Sequence, residues 1–249
     1  SGLPRPLGVT FVSLRLLQNM LIFGLAFIYY RRLGIGHFPA LLGLSALAWG
    51  MTQANYSSDL AFDGWTDVLF YLGAAIALQA ERPRWLISIS VLAALNRESS
   101  VLIPLMGLAC ALRPGPRLDP SLAVSSSAAL AVWLLTYTGL HLVLGPEPYE
   151  TVANGGYLTY NLIHDSAWGH TAGALGIIPA LAVLSWRGWP PLLRPLFWSV
   201  VPVWFVAHAL CAPLDQSRVL LLPQILVFIP GMLGGQVWWR QPQEDGLGG

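Results

Sequence analysis

The chain has 249 residues, a formal net charge of +1 and 55% hydrophobic residues. Only 10% of its residues are charged, whereas an ordinary soluble domain has about 25%. This composition excludes an ordinary soluble domain. Because the arginines are spread thinly between apolar runs, it also excludes a basic surface for nucleic acid. We expect a polytopic membrane protein without a DNA or RNA partner.

Three apolar runs lie in the first third of the chain. The run at residues 9–30 is long enough to cross a hydrocarbon core of about 30 Å, and it ends at Arg31 and Arg32. Shorter apolar runs follow at residues 38–54 and 65–80. We predict a membrane-spanning helix for each run.

Three carboxylates, Asp59, Asp63 and Asp67, follow one another at four-residue steps around the start of the third run. If this stretch is helical, all three share one face. There they could act as catalytic groups that orient or deprotonate an acceptor hydroxyl, or they could hold a hard divalent cation such as Mg²⁺ or Mn²⁺. The alternative is that they are solvated charges at a helix start, where acids favour the helix dipole.

The apolar run at residues 85–112 is interrupted at its centre by Asn96, Arg97 and Glu98. As one helix it would be about 42 Å long, so we predict two short helices that meet at this polar apex, either as thin spans or as a re-entrant hairpin. The planar guanidinium of Arg97 is suited to a phosphate. The alternative is a structural Arg97–Glu98 pair at a helix break. Adjacent helical residues point about 100° apart, so we favour separate partners.

The second half of the chain contains four more apolar runs, at residues 122–144, 171–186, 196–211 and 219–239. The longest polar interval, residues 145–170, separates the first two of these runs. We expect that interval to form an extracytoplasmic loop.

Two further candidate sites lie in the polar intervals of this half. His164, Asp165 and His170 form a tight His/Asp group that could serve acid–base chemistry or acceptor binding, although a missing fourth ligand argues against a zinc site. Arg218 lies at the edge of the last run, with Asp215 three residues earlier. It could bind a lipid-linked phosphate, or it could be an interfacial anchor or the partner of Asp215.

The arginine-rich breaks indicate orientation, because cytoplasmic loops carry an excess of basic residues. Counting crossings places five arginine clusters on the cytoplasmic side and only Arg5 on the wrong side. The carboxylates at residues 59–67, the Arg97–Glu98 apex, the interval 145–170 and Arg218 then collect outside. We predict an extracytoplasmic active site or pore mouth, and an amino terminus outside, after a preceding span. The five clusters are Arg31/Arg32, Arg82/Arg84, Arg113/Arg117, Arg187/Arg194 and Arg240.

Four short motifs follow one another in a characteristic order. They are a basic turn at residues 31–34 (RRLG), Asp67 before an apolar run, the apex at residues 96–99 (NRES) and a late span that opens at residues 218–223 (RVLLLP). This order resembles the GT-C superfamily of polyprenyl-phosphate-sugar-dependent membrane glycosyltransferases, with protein mannosyltransferases and aminoarabinose transferases closest. The resemblance covers roughly residues 10–112 and 215–235. The chain departs from the family pattern at two places. It has Val219 where the family often has Tyr, and it has Arg-Glu at the apex where the better-known branches have Lys.

The resemblance implies transfer of a sugar from a polyprenyl-phosphate donor to a polysaccharide, lipid or protein acceptor, on the extracytoplasmic side of a bacterial inner membrane. Arg97, Glu98 and Arg218 would bind the lipid phosphate, and Asp67 aligns with a family Asp. The catalytic acid of the family lies in a loop after the first span. Because the chain begins at Ser1, after the position of that loop, we expect an amino-terminally truncated fragment.

We therefore predict an all-α, GT-C-like bundle of about eight to nine membrane segments. Residues 1–240 would form one transmembrane domain, and residues 241–249 a disordered tail. Two other functional classes stay open. A transporter or flippase would line a substrate path with Arg97, Glu98 and the broken helix. A non-catalytic membrane scaffold would leave its outer polar residues dispersed.

Overall fold

The computed structural model describes residues 5–56, 62–112, 119–145, 156–214 and 216–238. Within these ranges every regular element is helical, so the predicted all-α class is confirmed there. The α-helices are α1 (Arg5–Arg32), α2 (His37–Tyr56), α3 (Asp63–Gln79), α4 (Trp85–Ala94), α5 (Leu102–Ala111), α6 (Pro120–Leu144), α7 (Gly156–Ile163), α8 (Asp165–Leu175), α9 (Ile178–Leu184), α10 (Leu193–Cys211), α11 (Leu221–Pro223) and α12 (Ile229–Trp238).

Three of these helices are long and apolar enough to cross a membrane: Gly8–Arg32 in α1, Pro120–Leu144 and Leu193–Cys211. A fourth candidate is the pair α8 and α9, which is bent by 60°. The break contains Gly176, whose φ of +52° is a backbone conformation that favours glycine. The membrane character predicted from composition is thus supported by three or four candidate spans. The larger number of segments stays a prediction.

The break predicted in the run at residues 85–112 is present. Helix α4 ends at Ala94, and a 3-10 turn at Glu98–Val101 leads into α5. A Cβ built on Gly107 would lie 2.9 Å from Leu86 Cδ1, so the later part of α5 lies beside the beginning of α4. The two short helices therefore run antiparallel, and the polar residues lie at the tip of this hairpin. Helix α6 packs against both α4 and α5.

The polar interval at residues 145–170 differs from the predicted loop. It contains α7 and the beginning of α8, while residues 146–155 lie outside the described residues, as does the predicted tail at residues 241–249. Tertiary contacts explain the helix α7, because its buried Asn161 is held by α10 and the segment after it. Its Nδ2 donates to Ala209 O and Ala212 O at 3.0 and 2.8 Å, and its Oδ1 accepts from the Leu214 amide at 2.8 Å.

The last apolar run is not a regular α-helix. A 3-10 turn at Ser217–Leu220 is followed by α11, a π-helix at Gln224–Phe228 and α12. Pro230 has no N–H, so it cannot donate to Leu226 O four residues earlier or to Ile225 O five residues earlier. Two buried tyrosines of α1 supply donors: Tyr29 Oη donates to Leu226 O at 2.8 Å, and Tyr30 Oη donates to Ile225 O at 3.2 Å. The late segment is therefore anchored to the first helix.

Candidate functional site

The first turn of α3 is held against α1. Gln18 Nε2 donates to Phe62 O at 3.1 Å and to Thr66 Oγ1 at 2.9 Å. The Arg15 guanidinium lies over the Trp65 ring, 4.2 Å from its centroid. Polar side chains inside an apolar helix commonly connect neighbouring helices in this way. As a result, the turn that carries Asp63, Gly64 and Asp67 has a defined position.

The hairpin tip reaches this same turn. Asn96 Nδ2 donates to Asp63 O at 2.9 Å, and Arg97 Nη1 lies 3.6 Å from Asp63 Oδ2. The Arg97 and Asp63 side chains are 23% and 43% exposed, so this ion pair is open to its surroundings. The prediction that Arg97 has a partner other than Glu98 is confirmed, since its charge faces Asp63 on another helix.

Two buried side chains of α3 hold the backbone after Arg97. Ser99 Oγ donates to Asp67 Oδ2 at 2.9 Å, and Tyr71 Oη donates to Ser99 O at 2.6 Å. Asp67 is only 1% exposed, and its second oxygen, Oδ1, is buried without a hydrogen-bond partner among the described residues. We call Asp67, Tyr71 and Ser99 the Ser99 clamp. It ties the hairpin tip to α3.

A second set of hydrogen bonds ties the tip to α6. Ser100 Oγ donates to Arg97 O at 2.6 Å, and Trp133 Nε1 donates to Ser100 Oγ at 2.8 Å. Arg97 itself has an extended backbone, with φ −156° and ψ 150°, and precedes the 3-10 turn. Its main chain is therefore held from both sides, while its guanidinium faces Asp63.

Arg218 reaches the site from the far end of the sequence. It lies in the 3-10 turn Ser217–Leu220, and its Nη2 donates to Gln216 Oε1 at 3.0 Å. Its Nε and Nη1 atoms are buried without a hydrogen-bond partner among the described residues. The predicted alternative partner, Asp215, lies outside those residues, as does Asp59.

Gly64 is where the two arginines meet. A Cβ built on Gly64 would lie 3.5 Å from Arg97 Nη1 and 4.0 Å from Arg218 Cδ. Both distances start at the same point, so Arg97 Nη1 and Arg218 Cδ are separated by no more than the sum of the two. The absence of a side chain at position 64 leaves a space beside both arginines. We call Arg97, Arg218, Asp63 and Gly64 the arginine site.

Trp204 of α10 connects the two halves of this arrangement. Its ring packs edge-on against Tyr71 of the Ser99 clamp, with ring centroids 6.0 Å apart. Its Nε1 donates to Val219 O, in the 3-10 turn that carries Arg218. One buried indole thus fixes the distance between the Ser99 clamp and the segment of Arg218.

Two concave regions adjoin the site. A cavity of about 330 Å³ lies between the hairpin tip and the end of α6, lined by Asn96, Arg97, Glu98, Tyr137 and His141 among others. The other is an apolar groove of about 250 Å³ between α1 and α3. Its lining includes Leu14, Leu17, Leu21, Phe62 and Leu69. Phe62 directly precedes Asp63, so the groove ends next to the arginine site.

The predicted His/Asp group lies on the surface of the molecule. His164 and Asp165 lie at the junction of α7 and α8, and His170 lies within α8. All three are exposed, and His164 Nδ1 lies 3.1 Å from Tyr160 O of α7. Within the described ranges, no group of three or more His, Cys, Asp or Glu side chains is placed to hold a metal ion. Helix α8 packs against the 3-10 turn of Arg218.

Comparisons of the chain with protein-family models, curated proteins and solved structures find no match. The functional interpretation consequently depends on the geometry of the site.

The sequence identifies Arg97, Arg218, Asp63 and Asp67 as candidates, but it does not identify the residues that bring them together. Gly64 and Ser99 are adjacent to charged residues in the sequence, which is the only signal that could have drawn attention to them. In the sequence, Tyr71 and Trp204 cannot be told from the other aromatic residues of apolar runs. Their roles depend on contacts between elements distant in the sequence, so no local pattern reports them.

We expect Ser99→Ala to lower the free energy of unfolding by about 1–3 kcal/mol, because the buried Asp67 carboxyl would lose the only hydrogen-bond donor that the described residues give it. Thermal unfolding of the purified protein in detergent measures the change. Ser45→Ala is the matched control, since the Ser45 hydroxyl bonds the exposed Leu41 carbonyl of its own helix. Equal effects of the two substitutions would contradict the clamp.

Proposed function

We propose that this protein is a membrane glycosyltransferase that moves a sugar from a polyprenyl-phosphate donor to an acceptor on the extracytoplasmic side. The observation that carries the proposal is the meeting of Arg97 and Arg218 beside Gly64. Arg218 has two buried N–H-bearing atoms without partners among the described residues, so it has donors to offer to a ligand. The Arg97 guanidinium and the Arg218 side chain lie beside the same glycine, and two arginines so close together suit a phosphate better than any neutral ligand.

The chemical role of the two arginines follows from the leaving group. When the sugar leaves its carrier, negative charge develops on the lipid phosphate. Donors held in place before the reaction stabilise this charge more effectively than water does, because they need no reorganisation. The Ser99 clamp and Trp204 supply the rigidity that such donors need.

The acceptor hydroxyl needs a base, and Asp63 is the stronger candidate among the described carboxylates. Its side chain is 43% exposed and lies in the arginine site. Asp67, which the sequence favours over Asp63 because it aligns with a family Asp, is 1% exposed and bonded to Ser99. A carboxyl at that depth cannot reach an acceptor without rearrangement, so we assign Asp67 a positioning role. Glu98 lines the cavity at the hairpin tip, where an acceptor would approach.

The apolar groove between α1 and α3 suits the carrier chain. Apart from Gln18 it is lined by hydrophobic side chains, and it ends at Phe62, next to Asp63. A prenyl chain in this groove would bring its phosphate to the outer end of α3 from within the bilayer. We further propose that the chain crosses the membrane in eight to nine segments, as the GT-C resemblance implies, with the arginine site at the outer surface.

The test is a transfer assay with the purified protein in lipid vesicles, using a radiolabelled sugar on polyprenyl phosphate and a mixture of polysaccharide, lipid and peptide acceptors. We expect label to move to an acceptor fraction, with release of polyprenyl phosphate. A parallel binding assay compares polyprenyl phosphate with the corresponding alcohol, and we expect the phosphate to bind at least tenfold more tightly.

Two results would contradict the proposal. One is equal binding of the phosphate and the alcohol, because the arginine site would then not recognise phosphate. The other is counterflow of the labelled carrier across the vesicle membrane without any transfer of the sugar, which would indicate a transporter instead.

A further inference from the structure

A separate cavity lies at the opposite end of α3 from the arginine site. It has a volume of about 590 Å³ and lies between the ends of α1 and α3 and the beginning of α4. Arg32, Arg82 and Trp85 line one part of it, and Gly73, Ile76 and Ile89 line another. Along α3 its lining residues run from Gly73 to Ala80, a wall about 10 Å long.

The guanidinium groups of Arg32 and Arg82 have no hydrogen-bond or ion-pair partner among the described residues, and both side chains are exposed. Arg31, the neighbour of Arg32, differs from them because its Nη1 donates to Ile35 O at 2.6 Å. Glu81 precedes Arg82 in the sequence but does not line the cavity. The cavity therefore carries two positive charges that the described protein leaves unneutralised.

The rest of the lining is apolar and open. A Cβ built on Gly73 would meet only Ile89 Cδ1, at 3.8 Å, so the wall between α3 and α4 has room for more atoms. Trp85 is 58% exposed at the mouth, and tryptophan is typical of the membrane–water interface. The cavity thus has two arginines near an exposed tryptophan, and apolar side chains line the rest of it. This arrangement matches the charged headgroup and apolar chains of a phospholipid.

We propose that this cavity binds one anionic phospholipid of the cytoplasmic leaflet. Arg32 and Arg82 bind the phosphate of the headgroup, and the beginning of an acyl chain lies along the wall formed by Gly73, Ile76 and Ile89. Basic pockets between membrane helices on the cytoplasmic side are suited to such headgroups. The site is at the other end of α3 from the arginine site. Its assignment to the cytoplasmic leaflet rests on the proposed orientation, but the binding of the lipid does not depend on glycosyl transfer.

Native mass spectrometry of the full chain in detergent tests this site. The protein is titrated with phosphatidylglycerol and, separately, with zwitterionic phosphatidylcholine of the same acyl chains. We expect the anionic lipid to bind at least tenfold more tightly. The double variant Arg32→Gln/Arg82→Gln should lose about tenfold in affinity for phosphatidylglycerol, whereas Arg84→Gln, which removes a nearby exposed arginine outside the cavity lining, should bind like the unmodified chain.

Gly73→Leu tests the apolar part of the site. The leucine side chain would fill the channel, so we expect weaker binding of phosphatidylglycerol with unchanged thermal unfolding in lipid-free detergent. Glycerol 3-phosphate serves as the headgroup alone, and we expect no competition at millimolar concentration. Equal affinity for the two lipids, an equal loss in Arg84→Gln, or full competition by glycerol 3-phosphate would each overturn the proposal.

Discussion

Replacing either Arg97 or Arg218 by alanine is expected to lower the rate of sugar transfer by about 10²–10³-fold. This is the range seen when one preorganised donor to a developing negative charge is removed. Both side chains meet beside Gly64, and each belongs to a segment held by buried hydrogen bonds. The loss should appear mainly in kcat, because the charge on the phosphate grows as the sugar leaves.

Lysine substitutions distinguish charge from geometry at the same positions. Arg97→Lys and Arg218→Lys keep one positive charge but lose the planar fork of N–H donors. We expect rates between those of the unmodified protein and of the alanine variants. Arg187→Ala is the control, because Arg187 is exposed and lies outside the arginine site.

The stability of these variants must be measured beside their activity. Arg97→Ala leaves the Ser99 clamp in place, because the clamp uses side chains of Ser99, Asp67 and Tyr71 and the main chain of Ser99. We therefore expect thermal unfolding in detergent to change little. Full transfer activity in both alanine variants would rule out the two guanidinium groups as the phosphate site.

A substitution of Gly231 by alanine is expected to lower the free energy of unfolding by about 1–3 kcal/mol, the usual cost of overpacking. The new Cβ would lie 2.8 Å from Cε2 and Cζ2 and 2.9 Å from Nε1 of the Trp189 ring. That ring cannot move aside easily, because it is 4% exposed and its Nε1 donates to Ala182 O at 2.8 Å.

Gly139→Ala is the matched control for this prediction. Gly139 lies in α6, and a Cβ built on it meets no heavy atom within 4 Å. Alanine is favoured over glycine inside a helix by about 1 kcal/mol, so we expect this variant to be unchanged or slightly more stable. Thermal unfolding of both variants in the same detergent gives the comparison. A Gly231→Ala protein as stable as Gly139→Ala would mean that α12 does not pack against Trp189 as described.

The helical architecture and its breaks could be predicted from the sequence. Long apolar runs favour helices in a membrane, because a helix pairs the N–H and C=O groups of its backbone within a single segment. The position of the polar apex at residues 96–98 was predictable for a related reason, since charged residues are costly in the middle of an apolar helix. The helix at residues 156–163 was not predicted, because it depends on Asn161 contacts with α10 and the following segment.

The candidate site also has a part that the sequence predicts and a part that it does not. Residue type and position alone selected Arg97, Arg218, Asp63 and Asp67, because such charges are rare in a chain this apolar. The sequence did not determine that Arg97 and Arg218 share the space beside Gly64, or that Asp63 is exposed while Asp67 is buried against Ser99. Helical spacing puts both acids on one face of α3, but how deeply each is buried depends on where the hairpin packs. Packing between segments distant in sequence is a tertiary property, so only the folded structure decides it.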